Sequence, residues 1–256
     1  MKVVIFAGGL GTRMREETEF RPKPMIEIGG RPVLWHIMKV YAQFGFNEFV
    51  VCAGYKSHVI KSFFQNYASH SQDFTTTLGD SDSTVFHGEN EERSWKVTVT
   101  DTGPTTQTGG RLLKVQHYIG DETFMCTYGD GVAPVNLPEL LATHERSKKL
   151  ATMTVTRQHS RFGVVQMDSE GIVSSFREKP LVQDLISIGF FVFEPGIFQL
   201  LREDSVLEDE PLQNLALSKN LAAYRHDGFW QPMDTYREFV DLNALWEADE
   251  APWKIW

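Results

Sequence analysis

Apolar positions along this chain fall into short continuous runs separated by amphipathic segments, and the two kinds alternate. VVIFA (3–7) is unbroken, the pattern of a strand buried on both faces of a sheet. Residues 32–45 place Val33, Leu34, Ile37, Met38, Tyr41 and Phe44 on one helical face, with Pro32 in the first turn, where its missing N–H costs little. FVVCA (49–53) predicts a second strand and VIKSFFQNY (59–67) a second helix. Residues 73–101 break the rhythm: TTTLGDSDSTVFH and SWKVTVTD read as strands joined by a polar loop, a hairpin excursion from the core. The alternation resumes with a helix over 109–119, the strand TFMCTY (123–128) and a helix over 137–147. ATMTVT (151–156), a hairpin GVVQM-DSEG-IVSSF turning at 168–171, and IGFFVF (188–193) follow. Helices near 195–202 and 211–219 precede a last helix over 235–248, opened by the capping box Thr235-x-x-Glu238.

Strands alternating with helices predict an α/β fold with a mostly parallel mixed sheet covered on both faces. No linker, repeat or low-complexity stretch interrupts it, so residues 1–256 read as one domain, with 73–101 as the hairpin excursion and 235–256 as a helical tail. In such sheets ligands bind beyond the carboxyl ends of the strands.

Composition narrows the function classes. Hydrophobic content of 41% and charged content of 23% are those of a soluble globular protein. The apolar runs are too short to span a bilayer, and Met1–Ile5 opens a strand pattern, not a signal peptide, so the expectation is a cytoplasmic protein without a membrane partner. A formal net charge of −9 argues against a nucleic-acid partner, while a few local cations still suffice for one small phosphorylated ligand. Cys52 and Cys126 sit inside strand runs and read as buried, reduced thiols. The eight histidines show no His-Glu-x-x-His spacing.

The chemistry gathers at the predicted strand ends. After the first strand, Ala7-Gly8-Gly9-Leu10-Gly11-Thr12-Arg13 is neither a P-loop nor a complete dinucleotide fingerprint. Its glycines suit an anion nest and equally a tight turn, and the loop by itself does not choose between them. Arg21-Pro22-Lys23-Pro24 frames a lysine between prolines a short distance on, which favours a phosphate-reaching cation over a solvated surface lysine. Tyr128-Gly129-Asp130-Gly131 puts a carboxylate at a strand end, as metal-bridged phosphate binding requires; a turn aspartate is the plainer alternative. Asp234 stands beside a helix start, where an N-cap is the plainer role. Arg177-Glu178-Lys179-Pro180 supplies a second proline-braced lysine.

Together the segments GGLGTR (8–13), Lys23-Pro24, Gly129-Asp130 and Glu178-Lys179-Pro180 resemble the sugar-phosphate nucleotidyltransferases, in order. RPKPMIEIGGRPVLWHIM, TGGRLLKV, FMCTYGDGV, GFWQPMDTYRE and APWKIW look like the glucose-1-phosphate cytidylyltransferase branch, and the resemblance covers nearly the whole chain. It implies a Rossmann-like three-layer sandwich, CTP and a phosphorylated acceptor as substrates, Mg²⁺ as cofactor, and a homo-oligomer. Carried over residue by residue, Ala7, Gly8, Gly9, Leu10, Gly11, Thr12 and Arg13 would hold the triphosphate, and Lys23 would lie between the two substrates. Thr106 and Arg111 would contact the cytosine, and Gly110 would also bind the nucleotide. Asp130 and Asp234 would ligate Mg²⁺, and Tyr128, Gly163, Glu178, Lys179 and Ser187 would form the acceptor side. Arg13, Lys23 and Asp130 would be the catalytic residues.

The acceptor side departs from the branch pattern at Ser187-Ile188-Gly189, where serine shortens a hydrogen-bonding arm and isoleucine adds bulk. Gln158–Ser160 and Leu181–Leu185 depart as well. A different phosphorylated acceptor is therefore one alternative. A catalytically silent sugar-nucleotide sensor is another, although every expected charged position is filled. UTP or dTTP is disfavoured, since a guanidinium donates to the O2 and N3 acceptors of cytosine and meets an N3–H in uracil.

Overall fold

Seven strands form the central sheet: β1 (Lys2–Ala7), β2 (Glu48–Ala53), β3 (Lys96–Asp101), β4 (Phe124–Tyr128), β5 (Ala151–His159), β6 (Leu181–Phe193) and β7 (Leu221–Arg225). The computed structural model describes residues 1–79, 83–160 and 162–256, without the side chains of Arg13, Arg15 and Glu16. Strand order is β7-β5-β6-β4-β1-β2-β3. Every pairing is parallel except those of β6, which runs antiparallel to both β4 and β5. The sheet is thus mixed and mostly parallel, as the alternation predicts.

Strand β1 shows why the centre is stable. Val3, Ile5 and Ala7 enter one core and Val4 and Phe6 the other, the two-residue period of a strand covered on both sides. The first core packs under α1 (Val33–Gln43) and α4 (Leu137–Ser147), and the second under α3 (Thr108–Lys114) and α5 (Glu210–Leu217). Helix α2 (Ser57–Gln65) turns only Ile60 fully inward, and α6 (Tyr236–Glu247) only Leu242.

Helix α1 is buried on more than the single face its pattern predicts: Trp35, His36 and Lys39 are also covered. The C-terminal segment supplies the cover. Trp246, Trp253 and Trp256 pack on the His36 ring, and Trp253 Nε1 donates to His36 Nδ1 at 3.3 Å. His36 Nε2 donates to Ile28 O at 2.8 Å, which leaves the imidazole neutral with its proton on Nε2. Burial drives its pKa down to about 4. The tail therefore braces the turn at Gly29–Gly30, just beyond Lys23.

Several sequence expectations need correction. The excursion is shorter than 73–101: a hairpin pairs Asp73–Thr75 with Val85–His87, while Lys96–Asp101 joins the main sheet beside β2. Its half-buried pattern is that of an edge strand, which the sequence shares with a hairpin arm. The helix over 109–119 breaks at Val115 into α3 and Gln116–Ile119. Residues 195–200 form a 3-10 helix, and β7 was not anticipated. Strands β5 and β6 run past the sheet as a two-stranded stem, with Arg157 opposite Leu185 and His159 opposite Leu181. Between them projects the predicted hairpin, Val164–Met167 against Val173–Arg177, its turn closed by Asp168 Oδ1 accepting from the Glu170 and Ile172 amides.

Candidate functional site

Beyond the carboxyl ends of β1 and β4 lies a cleft of about 350 Å³. The loop after β1 contributes Gly8, Gly9, Gly11 and Thr12 to its walls; Lys23 and Pro24 follow; Thr106, Gln107, Thr108 and Arg111 come from the start of α3. Tyr128, Asp130 and Asp234 complete it, with Phe6 at the end of β1.

The three glycines of the loop have three different reasons. A Cβ on Gly8 would sit 2.0 Å from the Arg111 guanidinium, so this glycine makes room for an arginine of the protein itself. Gly9 has nothing within 4 Å of a built Cβ and leaves its backbone open to the cleft. Gly11 has φ +61°, a left-handed conformation, and a Cβ there would meet Thr18 Cγ2 at 2.7 Å. Thr18 is buried and donates to Gly11 O at 3.2 Å and Met14 O at 3.0 Å, fixing the short 3-10 turn Thr12–Met14 that carries Arg13. The Arg13 side chain lies outside the described residues. Ala7 ends β1 inside the core and Leu10 is half exposed; neither lines the cleft.

Arg111 is 4% exposed and is held by the protein itself, chiefly by backbone carbonyls. Its Nη1 donates to Thr102 Oγ1 at 2.6 Å, Gly103 O at 2.8 Å and Ala53 O at 3.2 Å, and Nη2 donates to Gly8 O at 2.9 Å. These acceptors lie at the end of β2 and in the loops after β1 and β3, so one side chain ties three strand ends together. None of the four bonds falls on Nε. Thr106 Oγ1 donates to Thr102 O at 2.6 Å, holding the approach to α3 against the same loop.

Gly110 was expected at the nucleotide, but it does not line the cleft. A Cβ there would sit 2.1 Å from Glu203 O, and one on Gly109 would sit 2.7 Å from Ser205 Cβ. The Gly-Gly pair lets the loop at 203–205 lie against α3, with Gly110 N donating to Ser205 O at 3.1 Å.

Lys23 opens a 3-10 turn, Lys23–Met25, behind Pro22. Its Nζ donates to Asp130 Oδ2 at 2.7 Å and to Asp234 Oδ1 at 2.5 Å. Burial pulls its pKa down, but the two carboxylates outweigh burial and the net shift is upward, so the ammonium stays charged. A small ladder sets the aspartates side by side: Gln231 pairs with Val132, Pro232 with Gly131, and Met233 N donates to Asp130 O at 2.8 Å. The N-cap alternative for Asp234 fails, because Thr235 caps α6 through a full capping box with Glu238. Among the described residues no group of three or more metal-ligating side chains gathers, and this pair of carboxylates is the anionic centre of the cleft.

The acceptor-side residues are only partly brought together. Tyr128 lines the first cleft and also a second, of about 360 Å³, which holds Ser187. Ile188, expected to add bulk to the acceptor pocket, is 4% exposed and lies in the core, since β6 turns successive side chains to opposite faces. Gly163, Glu178 and Lys179 line neither cleft. They sit where the projecting hairpin meets its stem. Gly163 leaves room for the Phe176 ring, 2.6 Å from a built Cβ, and Lys179 Nζ lies 3.9 Å from Glu178 Oε1. Lys179 has φ +43°, and its carbonyl accepts from His159 Nδ1 at 2.9 Å. Arg161 lies outside the described residues.

A family model described as nucleotidyl transferase matches residues 2–248. The chain belongs to the nucleotidyl transferase family. The glucose-1-phosphate cytidylyltransferase of Salmonella typhi is 48% identical to it over 259 residues, covering 100% of each chain. The probable glucose-1-phosphate cytidylyltransferase of Bacillus subtilis (strain 168) is 43% identical over 258 residues, again covering 100% of each. The crystal structure of HddC from Yersinia pseudotuberculosis has a TM-score of 0.68 and 19% identity, covering 96% of this chain and 99% of that one, a likeness of fold. In this nucleotidyl transferase, Phe6, Pro24, Gln107 and Thr108 of the first cleft and Glu208, which lines the second, carry no site role in the sequence analysis, although Pro24 and Thr108 lie inside its motifs. Thr108 opens the segment TGGRLLKV and Gln107 directly precedes it, so proximity is a usable signal for both. Nothing in the local pattern around Glu208 sets it apart from its acidic neighbours.

Proposed function

We propose that this nucleotidyl transferase moves a cytidylyl group from CTP to a sugar 1-phosphate, glucose 1-phosphate foremost, giving a CDP-sugar and pyrophosphate. The observation that carries the reading is the Lys23 ammonium held between Asp130 and Asp234 at the mouth of a glycine loop. The full-length likeness to enzymes named for this reaction supports it.

An ionised phosphate oxygen of the acceptor attacks the α-phosphorus of CTP; the new P–O bond forms as the bond to the β-phosphate oxygen breaks, and pyrophosphate leaves with the electron pair. No general base is needed, because the nucleophile carries its charge at neutral pH. The barrier is the repulsion of two polyanions and the in-line approach. Lys23 would lie between the two phosphates, Arg13 would face the departing pyrophosphate, and the backbone at 7–11 with Thr12 would hold the triphosphate. Thr106 and Arg111 would meet cytosine, the guanidinium donating to its acceptor edge. Lys179 would take the acceptor phosphate with Glu178 beside it for hydroxyls, and Gly163 would complete that side.

Asp130 and Asp234 fit Mg²⁺: two carboxylates already share one cation, and Mg²⁺ takes one or two carboxylates with phosphate oxygens and water filling the rest of its shell. Bound there, the ion supplies charge neutralisation on the phosphates. Among the described residues no helix is long and apolar enough to cross a membrane. A single cytoplasmic domain over 1–256, feeding surface-polysaccharide synthesis, completes the reading. The exposed apolar ribbon, with Phe162 77%, Met167 71% and Phe176 65% exposed, supports a homo-oligomer.

A matrix of five nucleoside triphosphates against a panel of sugar 1-phosphates with Mg²⁺, read by pyrophosphate release, tests this. Turnover is expected with CTP and glucose 1-phosphate. A preference for UTP or dTTP, or silence throughout, would overturn the proposal.

A further inference from the structure

The two clefts share one wall, the Tyr128 ring. Its placement needs Gly189, with φ +82°, because a Cβ there would fall 2.0 Å from the ring. The Tyr128 hydroxyl donates to Glu208 Oε1 in a short hydrogen bond, and Thr108 Oγ1 donates to Glu208 Oε2 at 2.6 Å. Thr108 is itself held by the Leu207 amide, which donates to its Oγ1 at 2.9 Å. Burial and the neighbouring carboxylate push the Tyr128 pKa up, so the hydroxyl keeps its proton and donates. Glu208 is thus an exposed carboxylate gripped at both oxygens by side chains of the nucleotide cleft.

The second cleft is lined by Met153, Ser187, Leu212 and Gln213 together with Tyr128 and Glu208. A carboxylate, an amide and a hydroxyl around an apolar floor suit a polyol ring, whose hydroxyls donate and accept while its C–H face packs. A carboxylate has about four lone-pair sites, and two are used here, so Glu208 keeps capacity for ligand hydroxyls. Charge sets the direction. A phosphate is repelled by the Glu208 carboxylate, and the cytidylyl-transfer reading puts it beside Lys23 on the other side of Tyr128, so a sugar phosphate lies phosphate toward Lys23 and ring toward Glu208.

We infer that Glu208 is a specificity-determining residue for the acceptor, reading hydroxyls of the sugar ring in this second cleft in addition to those proposed above for Glu178, with Tyr128 and Thr108 as its positioning residues. The inference rests on the cytidylyl-transfer reading above.

Kinetics of Glu208→Gln with CTP and glucose 1-phosphate test it, alongside the 2-, 3-, 4- and 6-deoxy analogues of that acceptor. The expected result is a KM for glucose 1-phosphate raised by about 10- to 100-fold, the size of a lost hydrogen bond to a charged group. The KM for CTP should stay within about twofold. At least one deoxy analogue that wild type discriminates against should be accepted by the variant as well as the parent sugar. That loss of discrimination is a readout a purely structural role leaves unmoved. Tyr128→Phe, which removes one anchor of the carboxylate and keeps the ring, should raise the acceptor KM by a smaller factor in the same sense, and stands in if Glu208→Gln does not fold. An unchanged acceptor KM, an equal rise for both substrates, or deoxy discrimination identical to wild type overturns the inference while the reaction stands. A wild-type protein silent with CTP and every sugar 1-phosphate overturns both.

Discussion

Beyond β1, β2 and β3, one arginine 4% exposed ties three strand ends together, whereas beyond β5 and β6 a ribbon of apolar side chains stands in solvent. In the first region Gly8, Gly11, Thr102, Thr106 and the carbonyls of Ala53 and Gly103 have partners that dictate their positions. In the second, Lys179 holds a left-handed conformation through one histidine contact, and its side chain is mostly exposed. Parallel strands covered on both faces force their end loops into a common space, while an antiparallel stem that outruns the sheet has only its own two strands to define it. A cleft can be preformed by the first arrangement. The second leaves acceptor-side groups apart.

The contrast breaks most sharply at Lys23. Replacing it with alanine should cost about 10²- to 10³-fold in kcat, the scale for removing a preorganised charge donor, with steady-state pyrophosphate release as the measurement. The same variant leaves Asp130 and Asp234 facing each other, so added Mg²⁺ should raise its Tm more than it raises that of wild type. An equal rise in both proteins would count against the shared-cation site.

Next comes the brace behind the nucleotide half. His36 titrates near 6.5 when unfolded and about 4 when folded, so the unfolded state binds the extra proton between those values. Its contribution is whole above pH 6.5, falls as pH drops, and is gone below about 4. The loss is about 3 kcal/mol, read from urea unfolding midpoints across that window. A His36→Gln variant should flatten that part of the profile.

Gly110→Ala should destabilise by about 1–3 kcal/mol, since Glu203 O is backbone and cannot step aside as a side-chain end can. Gly8→Ala should destabilise by a similar amount and also lower nucleotide affinity, because its Cβ would displace the Arg111 guanidinium that ties three strand ends together. The smallest effect belongs to the open region. Lys179→Gly removes left-handed strain of about 1–2 kcal/mol but adds backbone freedom to the unfolded chain worth about 0.5–1. Its Tm should therefore shift by only a few degrees, upward if at all, while the KM for glucose 1-phosphate rises and that for CTP does not. A fall in Tm matching that of Gly110→Ala would mean that the acceptor side is packed as tightly as the nucleotide side.

What composition and periodicity determined was considerable. The buried run Val3–Ala7, the α/β alternation, the capping box at Thr235 and the turn at Asp168 all depend on neighbours within a few residues, and all are present. Lys23 and Asp130 were legible because proline framing and strand-end position are local signals; Asp234 by itself read as an N-cap, and the meeting of the three was implied only by resemblance. Tertiary structure decided the rest. Gly8 and Gly110 look like ligand-binding glycines, yet one accommodates an arginine 103 residues away and the other a backbone carbonyl at 203. Lys96–Asp101 has the half-buried pattern of a hairpin arm and of a sheet edge alike, and only pairing with β2 separates them. Ile188 lies in the core and Ser187 in a cleft because of the face each takes on β6. Glu208 has no local mark at all. Its importance comes from Tyr128 and Thr108, 80 and 100 residues away, and a contact across that separation is written in the packing of loops, which no periodicity records.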